Sequence, residues 1–581
     1  MASEKLEVYE SGTGDLPQGN LAWQVFGAGL ENLGKDGRPI ELPMPDPGDD
    51  DLLVRVDAVG LCFSDVKLIR LGSEHPRIRG RDLRRDPTIP GHEVSMTVVK
   101  VGKNRKGAFN VGDKFIIQAD VYYKGEGLAF GYAIPGGMTQ YIVMDKRVLD
   151  GDGGCYLLPV KKSTGYSEAA LSEPWACVEM AYSIDERTAL KPNGSVLLAV
   201  HDSETFHKAW REIRATLETT NPRKVCVAAA DDAVRKEVGG AFGKEVVVES
   251  FPEASEDVLA GASEGAGFDD ILVLGTPPAD LLTRYSRSLA RGGMFNLLGG
   301  DVSGVNMEVD VGRVHYHRTR FLGTPDASLA HSLGRCGRID LKPEGKTWIV
   351  GAAGPMGQMH VQRALQKTDG PRLVVASDVD KHRLTHMRRR FEPLAAERNV
   401  QLVPLNPTEF EDEAAFYDEI ENLSDGGFDD IVIMAPVASV IERSMGYAGA
   451  DSLVNIFAGV NIGTTIDMDA GLLVRGVKLV GSSGSRIEDL EKTLSMAESG
   501  TLSTDYAVAA VGGIYGAHEG LAAVNDGTFA GKIVIYPQVE NVDLIPLEEL
   551  PEKLPDVAAK LGPGGTWSRE AEQEFLEEML P

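Results

Sequence analysis

Cysteine is scarce in this chain, and what there is does not pair. Cys62, Cys155, Cys177, Cys226 and Cys336 fall at no repeated short spacing. That excludes a disulfide framework and a four-cysteine zinc ribbon, and it fits a reducing compartment. Basic charge is also in short supply: 59 Lys and Arg stand against 87 Asp and Glu, a formal net charge of −28. Such a chain repels phosphate backbones and anionic lipid, which argues against nucleic-acid and membrane partners. No apolar run reaches the length of a bilayer span, and the opening MASEKLEVYE lacks the basic-then-apolar order of an export signal. A cytoplasmic location is expected.

What is present is ordinary soluble composition in a long chain. At 581 residues, 43% apolar and 25% charged, it exceeds one core and predicts about three or four domains. Residues 1–185 are rich in short β-branched runs broken by Gly and Pro (LLVRVDAVG, VSMTVVKVG, DKFIIQAD, TQYIVMDK), which reads as a mostly β, barrel-like domain. From residue 186 apolar strands alternate with longer amphipathic stretches, the pattern of a parallel, doubly wound sheet.

That second pattern occurs twice. GSVLLAV (194–200) is answered by GKTWIVG (345–351), KVCVAAADDAVR (224–235) by RLVVASDVDKHR (372–383), and FDDI (268–271) by FDDI (428–431). FNLLGG (295–300) and FLG (321–323) find counterparts in NIFAG (455–459) and LVG (479–481). Matches in the same order at offsets of about 150 to 160 residues argue two tandem Rossmann-like units, 186–340 and 341–485. After them come a helical stretch, RIEDLEKTLSMAESG, and a strand, GKIVIYP (531–537), expected to return to the first domain, so that 486–540 complete it. Residues 541–581 read as an acidic extension ending in a helix and silent about chemistry.

The stretch WIVGAAGPMGQMH (348–360) runs from an apolar strand through glycines into a helix-compatible segment. In that context Gly351, Gly354, Pro355, Met356 and Gly357 form a dinucleotide turn. Gly354 admits the pyrophosphate, Gly357 allows tight helix packing, and the helix N-terminus faces the phosphates. Ala352 stands at the usual first glycine, a departure because alanine tolerates positive φ poorly. Asp378, about twenty residues on, suits both ribose hydroxyls and repels a 2′-phosphate, so NAD is favoured over NADP. The first copy reads VHDSETF (200–206): Asp202 and Glu204 would oppose a pyrophosphate, Phe206 fills the close-packing position, and Ala230 replaces the ribose acid. This unit is expected to be degenerate, retained for packing and not for dinucleotide.

Before the units lie Cys62-Phe63-Ser64-Asp65, Gly91-His92-Glu93 and Glu173-Pro174. Thiolate, imidazole and carboxylate at wide spacing suit a catalytic zinc that keeps an open position, with Cys62, His92, Glu93 and Glu173 as candidate ligands. Ser64 is placed to take the proton of a bound alcohol, and Asp65 to orient His92. Singly, each residue has a bland reading as buried hydrophobe, satisfied polar group or helix start; jointly they point to metal-assisted redox chemistry.

Together C-x-S-D-x-K, P-G-H-E, V-G-D-K, G-G-M-T-Q-Y, E-P-W-A-C-V, the glycine turn and the late G-K-I-V-I resemble the zinc-dependent medium-chain dehydrogenase superfamily. Glu173, where many alcohol dehydrogenases carry cysteine, is similar to the polyol branch, which includes sorbitol dehydrogenase, threonine dehydrogenase and L-sorbose 1-phosphate reductase, the last being the nearest likeness. The resemblance covers 50–185 and 341–537. It implies a GroES-like catalytic domain with zinc in the cleft against the coenzyme domain. Residues 118–140 contain no cysteine where that family carries a second, structural zinc, so one zinc per chain is expected.

The substrate signal is a basic run, Arg77-Ile78-Arg79-Gly80-Arg81-Asp82-Leu83-Arg84-Arg85, in an acidic protein. Arg79, Arg81 and Arg84 are candidates for a substrate phosphate or carboxylate, against the reading of a solvated charged loop. Trp175 and Tyr122 or Tyr123 are candidates for the pocket wall or for core. The expectation is an NAD-dependent zinc oxidoreductase acting on a secondary alcohol or ketone of a polyol, sugar or sugar phosphate, existing as a monomer with an internal pseudo-dimer or as a homo-oligomer. Threonine-dehydrogenase-like oxidation of an amino alcohol, and an inactive scaffold, are the rivals.

Overall fold

The computed structural model describes residues 4–183, 187–243, 245–334 and 338–581; Cys336 and the expected boundary between 185 and 186 lie outside them. The first layer is an eight-stranded sheet in which Ile545–Pro546, Val508–Gly513, Lys532–Tyr536, Leu52–Gly60, Glu93–Val101, Lys114–Ile117 and Leu157–Val160 follow one another, with Tyr141–Met144 also on Leu52–Gly60. Leu52–Gly60 is buried along its whole length: Leu52, Val54, Val56 and Ala58 make one face apolar, and on the other Arg55 and Asp57 are buried as an ion pair at 2.7 Å. Lys532–Tyr536 does return to this sheet, pairing antiparallel through Val534 with Gly60 and Ile535 with Val59.

A twelve-stranded sheet forms the second layer. Its order is Val247–Phe251, Lys224–Ala229, Ser195–Val200, Phe268–Leu274, Leu289–Leu298, Arg320–Thr324, then Lys478–Gly481, Ala448–Ile456, Phe428–Ile433, Lys346–Val350, Leu373–Ser377, Gln401–Leu405. Read from either end, the topology is the same. The halves meet antiparallel at the centre, Phe321 opposite Leu479. A separate ribbon, Asn306–Asp310 against Thr465–Asp469, straps the join with Met307 opposite Met468 and Val309 opposite Ile466. Its ends are tied reciprocally: Gly304 N–H donates to Asp469 Oδ1 at 3.1 Å and Gly463 N–H to Asp310 Oδ2 at 2.9 Å. Side chains from both halves share one core.

The two FDDI runs sit in matching networks. Asp270 holds Arg187 at 2.9 Å and the Lys191 N–H at 2.8 Å, while Asp269 holds Lys191 Nζ at 2.6 Å and the Ser195 N–H at 2.9 Å. In the second half Asp430 holds Arg338 and the Lys342 N–H, and Asp429 holds Lys342 Nζ at 2.6 Å and the Lys346 N–H at 2.9 Å. In each half a pair of acids, one fully buried and the other less so, pins the chain that enters the first strand.

The last forty residues correct the expectation of an appended acidic tail. In the helix Arg569–Met579, Phe575 and Leu576 pack with Trp567 against Val534 and Tyr536 of the first sheet. Glu572 accepts from the Tyr166 and Ser167 N–H groups at 2.6 and 2.7 Å and from the Tyr536 hydroxyl at 2.8 Å. The acids dominate the composition, but the apolar face at helical spacing decides the packing. Among the described residues no helix is long and apolar enough to cross a membrane.

Candidate active site

Cys62 lies two residues past the strand Leu52–Gly60 and caps the helix Phe63–Leu71, its Sγ accepting from the Ser64 N–H at 3.5 Å. Asp65, fully buried, closes the same cap by accepting from the Cys62 N–H at 3.1 Å. Its other oxygen takes the Gly91 N–H at 2.9 Å and faces His92 Nδ1 at 3.2 Å, which leaves His92 Nε2 for a further ligand. One ligand atom each from Cys62, His92 and Glu93 fall within 4.8 Å of one another. Glu93 is fully buried, with Oε1 held by Lys532 at 2.6 Å and Oε2 without a hydrogen-bond partner. An orphaned buried carboxylate oxygen beside a thiol and an imidazole fits a zinc ion, whose ligands are these atom types. Burial lowers the His92 pKa, yet the Asp65 and Cys62 charges hold it well above its ordinary value; groups that favour an added proton also favour a metal cation.

Glu173, at the start of the helix Ser172–Met180, lies outside that trio but close by. Burial pushes its carboxyl up to about 7, with the His92 charge opposing and the Glu93 charge adding. Lys532, which sequence reasoning left as part of a strand motif, is buried and also donates to the Leu61 carbonyl at 2.8 Å. Its signal was the G-K-I-V-I run itself, but only the strand pairing shows that the lysine ends beside Glu93. Trp175 belongs to the core, its indole N–H on the Thr504 carbonyl at 2.9 Å, and Tyr122 is exposed.

The glycine turn follows the strand Lys346–Val350. The left-handed residue is Gly351, φ 81°, and not Ala352, so the alanine at that place is unstrained. Gly354 caps the helix Pro355–Gln366 with open space where a Cβ would be, and Pro355 opens the helix. A Cβ on Gly357 would come within 2.6 Å of the Gly351 carbonyl oxygen, so only glycine lets helix and turn meet. Met356 packs partly buried against the same helix-strand core. Asp378 ends the next strand, its oxygens accepting from Ala353 N–H and Asp380 N–H at 2.9 Å each. The open space beside Gly354 at the helix N-terminus fits a dinucleotide pyrophosphate.

In the first half the same place is filled. Asp202 accepts from the Thr205 N–H at 2.8 Å and the Glu204 N–H at 3.4 Å, so a carboxylate occupies the helix N-terminus. Phe206 is fully buried and stacks on Trp210 at 5.1 Å, where the second half has Gly357.

The arginines expected at the substrate are not brought together. Arg79 pairs with Glu126 at 3.0 Å, Arg84 with Asp82 at 3.0 Å, and Arg81 is wrapped by Asp86 at 2.8 Å and the carbonyls of Ala133 and Pro87. Local acids and carbonyls neutralise each one, as expected of a solvated charged loop. Arg77 of the same run was passed over. It binds Asp120 at 2.7 Å and lies over the Tyr132 ring, whose centre is 6.1 Å from that of His92.

The strand-turn-helix unit and the buried ligand cluster define an oxidoreductase of the alcohol dehydrogenase type. Residues 48–150 match the Alcohol dehydrogenase GroES-like domain. The uncharacterized protein YggP of Escherichia coli (strain K12) is 30% identical over 317 residues, 51% of this chain and 72% of that protein. L-sorbose 1-phosphate reductase of Klebsiella pneumoniae is 27% identical over 310 residues, 50% and 73% of the two chains. Mannitol-1-phosphate 5-dehydrogenase of Aliivibrio fischeri is 22% identical over 504 residues, 86% and 83%. The structure of 2R,3R-butanediol dehydrogenase from Bacillus subtilis shares the fold, with a TM-score of 0.50, 14% identity, and coverage of 89% of this chain and 99% of that one. The chain belongs to the zinc-dependent medium-chain dehydrogenase superfamily, in its polyol branch.

Proposed function

We propose that this protein transfers a hydride between NAD(H) and a secondary alcohol or ketone of a polyol, sugar or sugar phosphate, using one zinc held by Cys62, His92 and Glu93 with Glu173 beside it. The observation that carries the reading is the buried thiol-imidazole-carboxylate cluster, with an orphaned Glu93 oxygen, in a chain whose glycine turn is open. Zinc, when bound, lowers the pKa of a coordinated alcohol, and NAD accepts the hydride. Asp65 fixes the His92 ring so that Nε2 faces the ligand cluster, and Ser64 is the group to take the alcohol proton. Gly351, Gly354, Pro355, Met356 and Gly357 shape the pyrophosphate seat, and Asp378 is the ribose acid that favours NAD over NADP. The names of the relatives, two of them acting on hexose or hexitol phosphates, support a phosphorylated substrate.

The proposal extends to the organisation of the chain. Residues 1–185 with 486–540 form the catalytic domain, 186–340 a degenerate Rossmann-like unit arising by tandem duplication, and 341–485 the NAD-binding unit. The segment 541–581 joins the catalytic domain. Mirrored sheet order and matching FDDI networks support the duplication; Asp202 and Phe206 support the loss of dinucleotide binding. The 504-residue match to the Aliivibrio fischeri enzyme is too long to bypass this unit. Metal analysis of the purified protein should give one zinc per chain, and NADH titration one site. Cys62→Ala should lose the zinc and all turnover while still binding NADH. Full activity after chelation, or preference for NADPH, would sink the reading.

A further inference from the structure

We infer that Arg77 is the subsite for the phosphate of a phosphate-monoester substrate whose reacting carbon lies at the Cys62–His92–Glu93 cluster; this rests on the dehydrogenase reading. Arg77 is the middle residue of the turn Pro76–Ile78, and its backbone N–H donates to His75 Nδ1 at 3.2 Å. Its Nη1 is fixed on Asp120 Oδ1 at 2.7 Å. The guanidinium carbon stands 5.2 Å from the centre of the buried Tyr132 ring, and that centre is 6.1 Å from the His92 ring. The guanidinium is thus one aromatic ring removed from His92, and the phosphate-bearing chain of the substrate is inferred to reach between the two.

With Nη1 anchored, the Nε and Nη2 hydrogens remain, and neither atom has a partner among the described residues. These two donors form the side-on fork that matches two oxygens of a phosphate. The side chain is 48% exposed, so the fork is reachable; Arg81 and Arg84 spend several of their nitrogens on their own neighbours, and Arg79, held like Arg77 by one Nη1 contact, has no ring contact among the described residues leading toward His92.

Asp120, which anchors Arg77, lies where the catalytic unit meets the segment leaving the coenzyme unit. A Cβ on Gly484 would lie 3.4 Å from Asp120 Oδ2, and Gln118 Nε2 donates to the Ser485 carbonyl at 3.0 Å, both residues following the strand Lys478–Gly481. Asp120 is near enough to Glu173 for its charge to act there.

The test uses the zinc-loaded full chain with NAD and two substrates, a hexitol and the same hexitol carrying a terminal phosphate. Arg77→Gln should lower kcat/KM for the phosphorylated substrate about a hundredfold, mainly through KM, with a far smaller change for the neutral one. Arg77→Lys should fall between, since it keeps the charge and loses the fork. Inorganic phosphate should compete with the phosphorylated substrate in the wild type, and its calorimetric binding to the NAD-loaded protein should vanish in Arg77→Gln at unchanged zinc content. Equal losses on both substrates, or phosphate binding that survives Arg77→Gln, would overturn the inference while leaving the dehydrogenase reading intact. A zinc- and NAD-loaded wild type that turns over neither hexitol would overturn both.

Discussion

His360 shows how burial fixes the charge of one side chain in the cleft. It lies on the helix Pro355–Gln366, fully buried, with Nδ1 against the Tyr182 hydroxyl at 2.5 Å and its ring edge on Phe457 at 4.5 Å. Burial, aided by the Arg363 charge, pushes its pKa down to about 3. The unfolded chain takes up the proton near pH 6.5 and the folded one does not, so stability falls as pH drops through that window. Between pH 6.5 and 5.5 this single residue should remove about 1 kcal/mol. His360→Asn abolishes that contribution: the urea midpoint of the wild type should drop more over this interval than that of the variant. Equal drops would show that His360 protonates without unfolding. The same reasoning explains Lys532, whose ammonium is buried only because Glu93 and the Leu61 carbonyl receive it.

At the scale of elements, what lies close in sequence was legible and what pairs across it was not. The strands LLVRVDAVG and GKIVIYP, the helix after Arg486 and the glycine turn are each decided by residues within one segment, and the structure has them where the periodicity places them. The Cys62 and Asp65 cap is local as well, which is why the C-x-S-D run carries the metal reading. The partners of Arg79, Arg81 and Arg84 depend on loop geometry, and the role of Glu572 on a contact with Tyr166 and Ser167 some four hundred positions away. No periodicity encodes either. Glu572 holds the two N–H groups that open the helix Tyr166–Ala170, directly before the helix that carries Glu173. Glu572→Ala leaves those donors buried without an acceptor, a loss of about 3 kcal/mol. Chemical denaturation should show it, and hydrogen exchange should speed up across 165–180. If protection there is unchanged, the C-terminal helix is only attached to the catalytic domain and does not position Glu173.

The whole molecule is organised around the central join of the twelve-stranded sheet. A sheet with two free inner edges would offer Arg320–Thr324 and Lys478–Gly481 as templates for other chains, and joining them removes that hazard within one polypeptide. Among the described residues the register there sets Phe321 opposite Leu479, and the ribbon Asn306–Asp310 with Thr465–Asp469 adds five further cross-pairs between the halves. Met307, Val309, Ile466 and Met468 are all buried beneath it. A charge at Met307 would have no partner in that layer, whereas one at Val247, 53% exposed on the outer edge of the sheet, would face water. Met307→Asp is therefore expected to part the halves, and the bared edges should raise the mass seen by light scattering or drive aggregation. Val247→Asp should keep the wild-type mass and thermal midpoint. A Met307→Asp protein with both properties unchanged would mean that the halves are held by something other than the ribbon, and the first unit would then lose its role as a built-in sheet partner.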